Sequence, residues 1–343
     1  MKKKIFNILR IVVSLGLIIF LVSYLDIGKI VDTASLIWSQ HPGYLIVVVL
    51  GGLLLMILEA YRLQQVLRVQ KIQLPLSRLT SYCFIGMFFN NILPTTIGGD
   101  VAKGFYIARD SGKKTEPFVA LVVVRIIGAF CLTAVTVVAL IIGYNHLPNS
   151  TPIYMVAALT LVNVFALLFF TRRKLAVKFL VLLKPFKNKT LRKEIIAVYR
   201  LFHSHRRFPL QLGLAALATL GIEFLYIYIN FLIARGMGFT SVGFSSFMLL
   251  VPLIAVTTLV PSIGGLGIRE GMYVWFFGNL IGEDGAGALS LIMMVFVLSL
   301  GLVGGLVYAV SGTLRKSRPE PPREDDFDST GGEISIDSSA PKF

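Results

Sequence analysis

Long apolar runs alternate with short charged stretches along this chain. Six runs of about 20 residues carry few charges, at 6–24, 43–61, 117–141, 153–171, 209–233 and 288–312, and each can cross a hydrocarbon core as a helix. Two further apolar stretches, 79–110 and 244–282, are interrupted near their middles by Pro and Gly. Each half of these is too short to cross alone, which predicts hairpins that enter and leave on one side. The runs are continuous and not alternating, so they predict helices and exclude a β-barrel.

The runs group into two sets of three spans plus one hairpin. An odd number of spans inverts the second set relative to the first. The prediction is an all-α polytopic membrane protein with an inverted repeat and six full spans, its halves at 1–147 and 153–313. The breaks in the two hairpins are near copies of each other, about 167 residues apart: LPTTIGGDVAKGF at Leu93–Phe105 and VPSIGGLGIREGM at Val260–Met272. Paired breaks in corresponding places of two halves point to a binding site there.

Charge fixes the orientation. The chain carries 33 Lys and Arg in 343 residues and a net charge of +15. With the N-terminus inside, 29 of these 33 lie in cytoplasmic segments or at their membrane edge; Lys29 and Arg235 fall outside, and Arg125 and Arg269 within the membrane. That is a topology signal and not the footprint of a nucleic-acid binder. It predicts a multi-pass protein of a bacterial or archaeal cell membrane with both termini cytoplasmic. The first run follows Met-Lys-Lys-Lys without a small-residue cleavage site and reads as a retained anchor. Residues 172–207 hold 12 Lys and Arg against one acid, Glu194, and read as a cytoplasmic linker with an interfacial helix on anionic lipid. Residues 314–343 are polar and read as a disordered tail. Cys83 and Cys131 sit in apolar runs and read as packing residues.

Ionisable groups at membrane depth cost about 2.5–3.5 kcal/mol each on insertion scales and mark function. Here they are Asp100 after the first Gly-Gly, Arg125 in the third span, Glu223 in the fifth, and Arg269 and Glu270 after the second Gly-Gly. Gly98, Gly99, Gly264 and Gly265 allow close backbone approach. Pro94 and Pro261 stop the preceding helix, so the returning half-helix presents N–H groups and a positive dipole end, a seat for phosphate. Two arginines suit that geometry. Other readings stand beside this one. Asp100 also fits a helix cap, Arg125 and Glu223 fit an ion pair between halves, and the Gly-Gly pairs fit close helix packing. Gly301, Gly304 and Gly305 read as packing glycines, and Glu59 and Arg62 as snorkelling residues near a span end. No nucleotide-binding loop, metal-ligand cluster or catalytic triad is present in the sequence, and the reading expects no cofactor.

Asn90-Asn91-Ile-Leu-Pro94, Gly98-Gly99-Asp100, Arg125 and Pro261-Ser-Ile-Gly-Gly265-Leu-Gly267-Ile-Arg-Glu270 together resemble the lysylphosphatidylglycerol synthase transmembrane-region family. The pattern is similar to the flippase domain of the multiple peptide resistance factor. The resemblance spans roughly 5–313 and implies a lipid translocase fold with two re-entrant regions. It implies site roles for Asp100, Arg125 and Glu223, and adds Asn90 and Asn91 as candidates. No soluble aminoacyl-transfer domain is expected in the chain, and so no synthesis of lysyl-lipid.

The function expected is a flippase or scramblase for a lipid with an anionic or phosphate-linked headgroup, either a modified phospholipid or a polyprenyl-phosphate carrier. The partner is that lipid, with a homo-oligomer or an envelope-synthesis partner as further possibilities. The alternatives are a secondary transporter of a small anion, a membrane-embedded lipid transferase, and an accessory subunit of envelope synthesis.

Overall fold

The structure, a computed structural model, describes residues 42–92, 98–143, 151–171, 208–257 and 268–313. The expected span 6–24, the linker 172–207, the tail 314–343 and, within the two motifs, residues 93–97 and 260–267 lie outside the described residues. So do Pro94, Pro261, Gly264 and Gly265. The described residues form nine helices and no strand: α1 Pro42–Val69, α2 Leu76–Ile92, α3 Gly98–Ser111, α4 Glu116–Gly143, α5 Thr151–Thr171, α6 Pro209–Gly236, α7 Phe244–Thr257, α8 Ile268–Ile281 and α9 Glu283–Thr313.

Four helices are long and apolar enough to cross a bilayer, at Pro42–Val69, Glu116–Ile142, Pro209–Gly236 and Glu283–Val310. They coincide with four of the six expected runs. The apolar run at 153–171 forms α5. The interrupted stretches form helix pairs, α2 with α3 and α7 with α8. With 17, 14, 14 and 14 residues, these helices are shorter than the hydrocarbon core at 1.5 Å per residue.

α1 continues well past its apolar run, which ends at residue 61. Within the polar extension, Gln64 donates Nε2–H to the Leu74 carbonyl at 2.9 Å, and Arg68 donates to Gln64 at 3.3 Å.

Contacts between α2 and α3 run in opposite directions. Arg78 and Tyr82 meet Asp110, Gly86 lies against Lys103, and Asn90 meets Gly99. The pair is therefore an antiparallel hairpin. α1 also packs antiparallel on α6, its most extensive partner, with Gly51 against Ile229 and Leu58 against Gly221. Lipid gives apolar helices no reason to associate, so close approach through small residues matters here. The clearest case joins α2 to α9. A Cβ on Gly304 would lie 1.9 Å from the Phe84 carbonyl oxygen, and one on Gly301 would lie 2.2 Å from Asn91 Nδ2. The expected packing role of these glycines is what the structure shows.

The packing scheme is balanced. One buried cluster is drawn largely from the first half (Ala60, Leu63, Ile85, Val123), and another largely from the second (Ile229, Phe247, Tyr273, Met293). α2 packs on α9 while α7 packs on α4; α1 packs on α2 while α6 packs on α7. The long helices begin at Pro42 and Pro209 and at Glu116 and Glu283, both pairs 167 residues apart.

Candidate functional site

The N-terminal turn of α3 carries a connected group of charges. Gly99 starts it. A Cβ there would lie 2.1 Å from the Gly86 carbonyl oxygen, so only glycine lets α3 approach α2 this closely. The Gly99 amide donates to Asn90 Oδ1 at 2.8 Å, which caps the helix. Asn90 is thereby engaged by the hairpin itself. Asn91 points elsewhere, its Nδ2–H donating to the Val297 carbonyl of α9 at 3.2 Å. The first Gly-Gly thus combines both readings of the sequence, close packing and a helix start at the break.

Asp100, in that first turn, uses both carboxylate oxygens. Oδ1 pairs with Lys103 Nζ at 2.8 Å, one turn along the same helix, and Oδ2 accepts from Arg125 Nε of α4. Lys103 reaches back to Glu59 of α1, with Nζ 2.8 Å from Oε1. The series Arg125–Asp100–Lys103–Glu59 therefore ties together α4, α3 and α1. The Lys103 side chain is only 7% exposed, whereas Arg125 keeps 41% of its side-chain surface open. A buried cation between two carboxylates is neutralised locally. The open member of the series is Arg125.

Lys103 and Glu59 were not among the expected site residues. Lys103 stands in the first motif three residues after Asp100, a spacing that places both on one helix face. Glu59 differs from its expected snorkelling role. It is the eighteenth residue of a helix of 28, far from the helix end, and it holds Lys103 instead.

Glu223 lies near the middle of α6. Arg125 is paired with Asp100, so the alternative of an Arg125–Glu223 ion pair is not what forms. The cation within electrostatic reach of Glu223 is Arg62 of α1, which also reaches Glu59. Arg269 occupies a different setting. It is buried, at 5% exposure, on α8, within electrostatic reach of Tyr226 of α6. Tyr226 in turn interacts with Asn230 and Tyr273, and Tyr273 donates its hydroxyl to Asn230 Oδ1. Glu270 follows Arg269 in the first turn of α8. Asp100, Arg125, Gly99 and Asn90 are thus brought together, and Glu223 is in electrostatic reach of Arg62 and of Tyr226.

At the far end of the hairpin, Asp110 accepts from Tyr82 and pairs with Arg109 at 3.1 Å and Arg78 at 3.4 Å. Burial alone would raise its carboxyl; the Tyr82 hydrogen bond and the two arginines outweigh that and hold it below the usual carboxylate range. Arg109 also lies over the Tyr106 ring, 4.8 Å from its centroid.

Long apolar helices, short paired helices and buried charges inside them define a multi-pass helical membrane protein. The profile of the family described as "Lysylphosphatidylglycerol synthase TM region" matches residues 7–305. The chain belongs to that family. No curated protein and no solved structure matches it.

Proposed function

We propose that this protein translocates a membrane lipid with an anionic or phosphate-linked headgroup across the cell membrane, as a transporter and not an enzyme. The observation that carries this reading is Arg125. It is an arginine with 41% of its side chain open, in the apolar helix α4, fixed by Asp100 beside a helix start. An arginine at that depth is costly unless it faces a polar cavity or a partner. Its planar fork matches a phosphate, and Asp100 fixes its direction. Membership of the transmembrane-region family supports a lipid-related role.

Six spans, two re-entrant hairpins and an inverted repeat complete the proposal. The matched helix starts 167 residues apart and the paired packing contacts support it. With the second Gly of each motif aligned, the buried cations Lys103 and Arg269 also fall at the same place, four residues on. Helix α1 is the counterpart of α6 in this scheme. Its Glu59, the partner of Lys103, then corresponds to Tyr226, the neighbour of Arg269. Rocking one half on the other about α1 and α6 would move the headgroup between leaflets while the acyl chains stay in lipid.

Reconstitution into liposomes with a fluorescent anionic lipid and a leaflet-selective quencher tests this. Wild-type protein is expected to move the lipid. Arg125→Ala is expected to slow it by tenfold or more, about 1.4 kcal/mol or more, and Arg125→Lys to restore only part. Wild-type rates in a folded Arg125→Ala protein would overturn the site, and an inactive wild type would overturn the function.

A further inference from the structure

Glu223 is the fifteenth of the 28 residues of α6, as far from either helix end as the chain allows. Among the described residues its carboxyl has no ion pair and no hydrogen bond. The charged and titratable groups facing it are few. α1 supplies Arg62, α4 supplies Cys131 and α6 itself supplies Tyr226. On α8, Arg269 lies within electrostatic reach of Tyr226. α7 carries no titratable side chain, and those of α9 are confined to its ends, at Glu283, Asp284 and Tyr308.

Arg62 is placed between two carboxyls. It lies in electrostatic reach of both Glu59 and Glu223, next to Gly128 of α4, where a Cβ would sit 3.7 Å from its Nη1. Its Nε is buried without a hydrogen-bond partner. Glu59 already has a dedicated cation, Lys103, at 2.8 Å. Arg62 is therefore the one cation of the group that can change partner without stranding Glu59. A bare carboxylate at this depth is costly, and a carboxylate paired with arginine much less so. Two arrangements are then self-consistent: Glu223 protonated with Arg62 turned to Glu59, and Glu223 ionised with Arg62 turned to it. The pair straddles α1 and α6, the helices that meet where the two halves join, so each arrangement favours a different seating of that interface.

We infer that Glu223 is a proton-binding site that energises transport, taking a proton from one aqueous face and releasing it to the other as Arg62 moves between Glu59 and Glu223. This rests on the lipid-translocase reading for what is moved, but not for the proton site itself.

Infrared difference titration of the purified full chain tests the site. The wild type is expected to lose a protonated-carboxyl band as pH rises. That band should be missing from Glu223→Gln, and in Arg62→Gln it should persist to higher pH, because the cation that favours the ionised form is gone. A merely structural role for Arg62 would not move it. In liposomes, a gradient of one pH unit should drive a leaflet asymmetry of the fluorescent lipid of up to about tenfold per proton coupled, and none in folded Glu223→Gln. An identical band in wild type and Glu223→Gln, or rapid translocation indifferent to the gradient, would overturn the inference. A titrating Glu223 in a protein that moves no lipid would overturn the lipid reading and leave the proton site standing.

Discussion

Lys103 Nζ lies 2.8 Å from Glu59 Oε1, joining two residues 44 apart in sequence and two helices deep in the fold. Its second carboxylate, Asp100, is also at 2.8 Å. Burying one cation between two acids gains little net energy, but removing one partner strands the others. The group therefore acts as a fastening between α1 and α3, with Arg125 attached at its open end.

Lys103→Met should be strongly destabilising. Asp100 keeps Arg125, but Glu59 is left with its nearest cation gone. The expected cost is about 3–5 kcal/mol, the range for breaking a buried pair. Glu59→Gln in the same chain should recover a large part of it. Denaturant titration in detergent micelles measures both, and additive losses in the double variant would show that the two residues do not interact.

The packing glycines give a sharper contrast. Gly304→Ala would push a methyl to 1.9 Å from the Phe84 carbonyl oxygen, and Gly99→Ala to 2.1 Å from that of Gly86. Backbone cannot yield as a flexible side chain does. Each should cost about 1–3 kcal/mol. Gly287→Ala, with nothing within 4 Å, should be neutral or stabilise α9 by up to about 1 kcal/mol. Thermal unfolding of the three variants checks this, and equal midpoints would mean that α2, α3 and α9 are packed less closely than described.

Hydropathy made the long helices legible because lipid demands a continuous apolar run, and the interrupted runs gave the two helix pairs. Asp100 and Arg125 were visible as charges where charges are costly. Lys103 was hidden by its sequence position. It stands among the basic residues that set topology, and nothing local says that it turns inward. Glu59 was misread because the apolar run ends at 61 while α1 continues to Val69; hydropathy does not register a helix that goes on with Gln64, Gln65 and Arg68. Asn90 and Asn91 are adjacent, yet one caps α3 and the other crosses to α9, a division fixed only by tertiary packing.

The clasp at Asp110 should give a pH signature. Its carboxyl is held below the ordinary range in the folded chain by Tyr82 and the two arginines, against the effect of burial. A depressed folded value means that the stabilisation is fully present above the unfolded value, about 3.9, and is lost as pH falls through the folded one. The gap in thermal midpoint between wild type and Asp110→Asn should hold constant from pH 7 down to about 5 and shrink below about 4. A gap that persists unchanged into that acid range would show that the asparagine amide, and not the lost charge, sets the difference.

Topology provides the last test, and it separates the hairpin from the repeat. α2 and α3 are antiparallel, so Ser77 at the start of one and Lys114 just beyond the other lie at the same end. Both are exposed. By the positive-inside rule, that end is expected in the cytoplasm. The proposed inverted repeat predicts that the equivalent end of the second hairpin, near Asp284, lies on the opposite side. The native thiols must be removed first: Cys83 and Cys131 are free and buried, and Cys83→Ala with Cys131→Ala should be tolerated as small packing changes. In that background, Ser77→Cys and Lys114→Cys should react with an impermeant maleimide only after the cytoplasmic face is opened, and Asp284→Cys should react in intact cells. Labelling of 77 and 114 from opposite faces would make α2 and α3 a spanning unit and remove the hairpin. Labelling of 114 and 284 from the same face would leave the hairpin and remove the inversion.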